Sequence, residues 1–155
     1  SNNDFSAEDM EKTFRLVLWM LTIMYVQAIR DIFFKISDYK PELKPIDLID
    51  RYVEILSKKV DPVSDCECTY TIEANNDARR HVMNVISEPE NILHAYETAL
   101  QLLKELDAEV LSEDIKIGID YYRTMCAGEK EVDGDFFGRH DPEKIEYIKT
   151  SWVTA

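Results

Sequence analysis

The stretch that decides the fold is Phe14-Arg15-Leu16-Val17-Leu18-Trp19-Met20-Leu21-Thr22-Ile23-Met24-Tyr25-Val26-Gln27-Ala28-Ile29-Arg30-Asp31-Ile32-Phe33-Phe34-Lys35-Ile36. Phe14, Leu18, Leu21, Tyr25, Ala28, Ile29, Ile32 and Ile36 recur at helical spacing and make one stripe. Between Leu16 and Val26 the remaining faces are apolar as well, with Trp19, Met20, Ile23 and Met24 turned away from the stripe. A helix that is apolar all round is buried all round or lies in a membrane. A membrane span needs about 20 apolar residues. Here Arg15 closes one end and Gln27, Arg30 and Asp31 close the other. A signal peptide fits no better, because Asp4, Glu8, Asp9 and Glu11 precede the run where positive charge is expected. The reading is a central core helix from about Glu8 to Ile36, wrapped by the rest of the chain.

Working outward, Ser6 stands where an N-cap belongs, with Glu8 and Asp9 in the first turn facing the positive end of the helix dipole. Pro41 stops the helix at the other end, since the residue before proline avoids helical angles. A second helix starts at Pro45, with the stripe Ile46, Ile49, Tyr52, Val53, Leu56 and Val60. Residues 66–72 alternate apolar and polar side chains and read as a short strand or an extended loop, which leaves pairing with a second copy in a homodimer open. Asn75, Asn76 and Asp77 offer caps for a short helix through Ile86. Ser87, Pro89 and Glu90 form a capping-box start for the next one, whose apolar face is Ile92, Leu93, Tyr96, Leu100, Leu103 and Leu106. Ser112-Glu113-Asp114 opens another, with Ile115, Ile119, Tyr122 and Cys126 on one face and Gly128 placed as the C-cap glycine. Gly118 interrupts that pattern, and the alternation of Ile115, Ile117, Ile119 and Tyr121 leaves a strand open there. Asp141-Pro142-Glu143 starts a last helix carrying Ile145, Ile148 and Trp152.

The sum is an all-α fold: one helical domain over residues 1–155, a compact bundle of five or six helices around the long N-terminal helix. Residues 1–6 read as a disordered or vector-derived terminus. With 4 glycines and 5 prolines the chain lacks the turn supply of an all-β sandwich. His94-Ala95 with Ala99-Leu100, followed by Ile115–Asp120, resembles the helix-then-strand passage of class III nucleotidyl cyclases. No Gly-Asp turn follows residues 66–72, Tyr121-Tyr122 stand where that family has a glycine, and its metal aspartates have no counterpart. The resemblance therefore carries no activity and implies only the alternative of an α/β fold with a small sheet.

Charge limits the function. Lys and Arg number 18 against 31 Asp and Glu, a net charge of -13. Such a chain repels nucleic-acid phosphates and anionic lipid, so neither nucleic acid nor membrane is an expected partner. A protein with a basic surface is. Three cysteines, Cys66, Cys68 and Cys126, do not read as a disulfide framework and point to a reducing, cytoplasmic setting.

His81, His94 and His140 are isolated, and His94 has Asn91 where a di-iron bundle has glutamate three residues earlier. Cys66 and Cys68 are spaced too tightly for a zinc knuckle. The loop from Asp133 matches a calcium loop at its first, third, sixth and ninth positions, but Phe137 and Lys144 stand at two ligand positions. No nucleophile elbow or phosphate-binding glycine loop appears. No catalytic, metal or cofactor residue is therefore expected, and no cofactor. The expected function is a non-enzymatic acidic interaction module of the inhibitor, immunity or adaptor type. The acidic candidates for partner binding are Glu105, Asp107, Glu109, Glu113 and Asp114 around one turn, and Glu129, Glu131, Asp133 and Asp135 in a later loop. The alternative is a small enzyme or ligand-binding bundle whose pocket is lined by Tyr25, Tyr96, Tyr122 and His94.

Overall fold

A computed structural model describes residues 7–60 and 75–128, with the backbone alone for 7–11, 13–14, 21, 75–79 and 81. It contains six α-helices: α1 (Ala7–Tyr25), α2 (Gln27–Tyr39), α3 (Pro45–Lys59), α4 (Asn75–Ile86), α5 (Pro89–Glu105) and α6 (Glu113–Cys126). A 3-10 turn, Glu109–Leu111, joins α5 to α6. There is no strand among the described residues, so the all-α reading holds there. Residues 115–121 belong to α6 and not to a strand. The expected strand at 66–72, the loop from Glu129 and the helix at Asp141 lie outside the described residues.

The long N-terminal helix is two helices. Val26 sits at φ -121 and ψ 91, in extended backbone, and α1 and α2 meet at 100°. Unbroken, residues 8–36 would run about 44 Å, longer than the roughly 30 Å diameter of a small domain. Folding the stripe back on itself lets both halves reach one core. The local cause lies in the side chains. Thr22 donates its hydroxyl to the Leu18 carbonyl at 2.6 Å, a back-bond that bends helices. Thr22, Ile23 and Val26 are β-branched and lower helix propensity at this point. The Val26 amide still closes α1 on the Thr22 carbonyl at 2.9 Å, while its own carbonyl accepts from Ile29 and Arg30 to start α2. Both flanking backbones are thus satisfied at the corner, and the Val26 side chain is fully buried there.

The stripe itself faces the core as its spacing requires: Leu18, Tyr25, Ala28, Ile29, Ile32 and Ile36 are all buried. The expectation of burial all round fails on α1, where Leu16 is 59% exposed and Trp19, Met20, Ile23 and Met24 are only half-buried. α5 is the second hub. It packs against α2, α3, α4 and α6, and α1 packs against α2, α3 and α4. Serving four neighbours needs a wide apolar face, so Ala95, Thr98, Ala99 and Leu102 are buried beside Ile92, Tyr96 and Leu103. No single helix among the described residues is long and apolar enough to cross a membrane.

Three local corrections follow from packing. On α3 the buried face is Leu48, Tyr52, Val53, Ile55 and Leu56, while Ile46, assigned to the stripe, is 60% exposed. The helix is rotated toward α5, where Tyr52 donates its hydroxyl to the Ala95 carbonyl at 2.9 Å. Ser87 does not cap α5. Glu88 takes that position without a side-chain bond, and the Ser87 hydroxyl turns back to the Asn84 carbonyl at 3.0 Å. Asn91 donates to the Val85 carbonyl at 2.6 Å, so both polar side chains satisfy the end of α4, whose last carbonyls have no helical partner. Cys126, assigned to the apolar face of α6, is an exposed free thiol.

Gly118 explains its own presence in α6. A methyl group at this position would overlap the Tyr96 ring, which is fully buried and stacks on Tyr122 at 5.8 Å between ring centroids. The ring has no room to swing away, so α5 and α6 approach closely only because the side chain is missing. Gly128 follows α6 at φ 73, in the left-handed position that ends many helices.

Candidate functional site

The expected acidic site divides when its residues are placed. Glu105, Asp107, Glu109, Glu113 and Asp114 gather at the junction of α5, the 3-10 turn and α6. Three of them are held by cations of this same chain. Arg51 of α3 grips Glu105 with two bonds, Nε at 2.9 Å and Nη2 at 2.7 Å, and Gln101 adds a third at 3.3 Å. Arg51 holds the Glu105 carboxyl below the ordinary carboxylate range, first through the hydrogen bond and less through charge alone. Lys116 lies 3.4 Å from Glu109. Lys35 of α2 lies 3.6 Å from Asp114, whose side chain is largely covered. Asp107 and Glu113 have no ion pair among the described residues. The second group, Glu129, Glu131, Asp133 and Asp135, lies outside them.

Asp107 is the one residue besides glycine with positive φ among the described residues, at 53°. It occupies the position where helices usually place glycine. The Ala108 amide bonds the Leu103 carbonyl at 2.8 Å and the Asp107 amide bonds the Lys104 carbonyl at 3.2 Å, the paired closure of a Schellman end. Two costs meet at this residue. A Cβ in left-handed backbone carries a cost, smaller for aspartate than for most side chains, and the carboxylate belongs to the residue that follows the negative end of the α5 dipole. Beside it Val110 stands 73% exposed, the most open large apolar side chain among the described residues. The tip is therefore an apolar point set among carboxylates.

Tyr25, Tyr96 and Tyr122 are core residues, each exposed by 2% or less. His94 is elsewhere, half-buried at the surface with Nδ1 at 3.5 Å from Glu97, which also pairs with Arg123 at 3.4 Å. Among the described residues no three His, Cys, Asp or Glu side chains converge as a metal site. Cys126 has its thiol pKa pushed up by partial desolvation and by the Glu90 carboxylate, which keeps it protonated and weakly nucleophilic.

What sequence reading missed is a groove between α1 and α3. It measures about 690 Å³. α1 contributes Lys12, Arg15, Leu16 and Trp19, and α3 contributes Ile46, Ile49, Asp50, Val53 and Glu54. Its inner end is an aromatic cluster. Trp19 meets Phe33 edge-on at 4.6 Å and Tyr52 at 5.7 Å, and Phe33 meets Tyr52 at 5.5 Å. A smaller hollow of about 270 Å³ lies between the start of α3 and the end of α5, with Arg51 and Glu105 on its rim. The signal for the groove was present as the surplus of apolar residues on the far side of α1, which the burial argument assigned to the core. Compared with protein-family models, curated proteins and solved structures, the chain matches none.

Proposed function

We propose that this chain is a non-enzymatic, acidic protein–protein interaction module, of the inhibitor, immunity or adaptor type, that works in the cytoplasm and binds a protein with a basic surface at the α5–α6 tip. The observation that carries this reading is Asp107. Folding alone favours glycine or asparagine at a left-handed helix end, and disfavours a carboxylate there. A side chain that costs local stability is the kind of outlier found where a surface has work to do. Asp107 and Glu113, unpaired among the described residues, supply charge that steers an encounter, and Val110 supplies the apolar contact at its centre. Glu105, Glu109 and Asp114 contribute less, because Arg51, Lys116 and Lys35 already offset them.

The test separates binding from stability. Asp107→Gly should raise the unfolding free energy by about 1 kcal/mol. Asp107→Lys with Glu113→Lys should slow association with a partner recovered from cells, and flatten its salt dependence. Val110→Ser should speed dissociation. Reversal of Glu129, Glu131 and Asp133 provides the comparison. Unchanged binding in every tip variant overturns the tip as the binding surface, and unchanged binding in the loop variant as well would reduce the acidic surface to a solubility device.

A further inference from the structure

We propose that the α1–α3 groove is a self-association surface, and that its occupant is a second copy of this chain packed about a two-fold axis. The groove is formed by different helices from the acidic tip. Its two walls carry opposite charge, Arg15 and Lys12 on α1 and Asp50 and Glu54 on α3; Glu54 is already offset by Arg51 at 3.4 Å and Lys58 at 3.9 Å on its own helix, so Asp50 is the principal negative charge of that wall. Neither Arg15 nor Asp50 has an ion pair among the described residues, although both border the same hollow. A partner of uniform charge meets attraction on one wall and repulsion on the other. A second copy related by a two-fold axis brings its α1 over the first copy's α3, and so sets cation against anion on both walls at once.

Shape follows the same pattern. Leu16 and Ile46 project from opposite walls at 59% and 60% exposed, flanking a hollow deep enough to take side chains. A self-complementary face needs this combination, a projection and a recess on each copy. Trp19 at the inner end is of the residue type that dominates such contacts, being large, rigid and partly polar. The net charge of -13 opposes association of two copies. That repulsion acts over distances that physiological salt screens beyond about 8 Å, whereas the wall-to-wall pairs act at contact. The dimer should therefore be stronger at physiological ionic strength than at low salt.

Sedimentation velocity on the full chain tests this with a charge exchange. The wild type should dimerise reversibly. Arg15→Asp and Asp50→Arg should each weaken association by at least about tenfold, with unchanged far-ultraviolet circular dichroism. The two single variants mixed together should form a heterodimer, because one contact is then rebuilt with inverted sign and the other is the native Arg15–Asp50 pair. The double variant should return to within about threefold of the wild type, because both contacts are rebuilt with inverted sign. Ile46→Asp should abolish the dimer. A wild-type chain that stays monomeric at every concentration overturns the proposal and leaves the groove to a helix of a different protein. A dimer indifferent to both charge reversals overturns it too, since another face must then hold the copies together. If Arg15→Asp fails to fold, Asp50→Arg alone carries the test.

Discussion

The α5–α6 contact and the α1–α3 contact use helices of similar length and apolar content, yet one is closed and the other open. α5 and α6 touch through a glycine under a tyrosine ring, with Ile115, Ile119 and Tyr122 filling the remaining space. α1 and α3 touch at the Trp19–Tyr52 edge but leave a groove between them, with Leu16 and Ile46 exposed. The difference teaches that apolar content alone does not close a helix pair. Closure requires complementary volume at each level, and the pair without it keeps apolar surface available for something else.

The closed contact is where the largest effects are expected. Tyr96→Ala should cost about 3–5 kcal/mol by urea denaturation, the range for emptying a large buried ring site. Gly118→Ala should cost about 1–3 kcal/mol in the wild type, because the added methyl drives into the ring. In the Tyr96→Ala background the sign should reverse. There the methyl finds space, and alanine improves the helix by about 1 kcal/mol over glycine. A Gly118→Ala penalty of equal size in both backgrounds would show that the ring is not what the glycine accommodates.

The open contact should respond weakly to the same treatment. Leu16→Gln and Ile46→Gln, measured at dilutions where the chain is monomeric, should each change unfolding free energy by no more than about 0.5 kcal/mol. A loss of several kcal/mol would mean the groove is sealed within one copy and the comparison fails.

The smallest effect belongs to the Arg51–Glu105 clamp between α3 and α5. Both side chains are well exposed, so Glu105→Gln should lower the melting temperature by no more than about 1 °C, and by less in high salt. The sign of its pH dependence is fixed. Folding lowers the Glu105 pKa from its ordinary 4.5, so the clamp's contribution is present above that value. It is lost as pH falls through the lower folded value. The difference between wild type and Glu105→Gln should therefore shrink below about pH 4.5.

How far the sequence revealed these regions depends on the range of the interaction involved. The stripe from Leu18 to Ile36, the Pro45 start of α3 and the Gly128 end of α6 are local in origin, and each was readable. The corner at Val26 was not, because no glycine or proline marks it. It arises from the length of the stripe against the size of the core, a property of the whole fold. Gly118 read as a reason to doubt a helix, when its cause was a ring on another helix. The buried face of α3 is rotated and that of α5 widened relative to their expected positions for the same reason, since neighbours and not periodicity choose among several apolar stripes. The acidic tip was legible as charge, and so was its partial offset by Lys116, seven residues from Glu109. Its neutralisation by Lys35 and Arg51 was not, because both come from helices distant in sequence. The groove was invisible as such, being the space that two helices fail to fill.

The edge-on aromatic cluster has an optical consequence. The chain has two tryptophans, Trp19 and Trp152, so Trp152→Phe leaves Trp19 as the sole long-wavelength emitter. Tyr52, 5.7 Å away, passes its excitation to that indole almost completely at so short a range. Trp19 is also half-buried at the inner end of the groove, so its emission colour reports the local water. Filling the groove should shift the emission to the blue without any attached dye, and light alone would then follow occupancy in time.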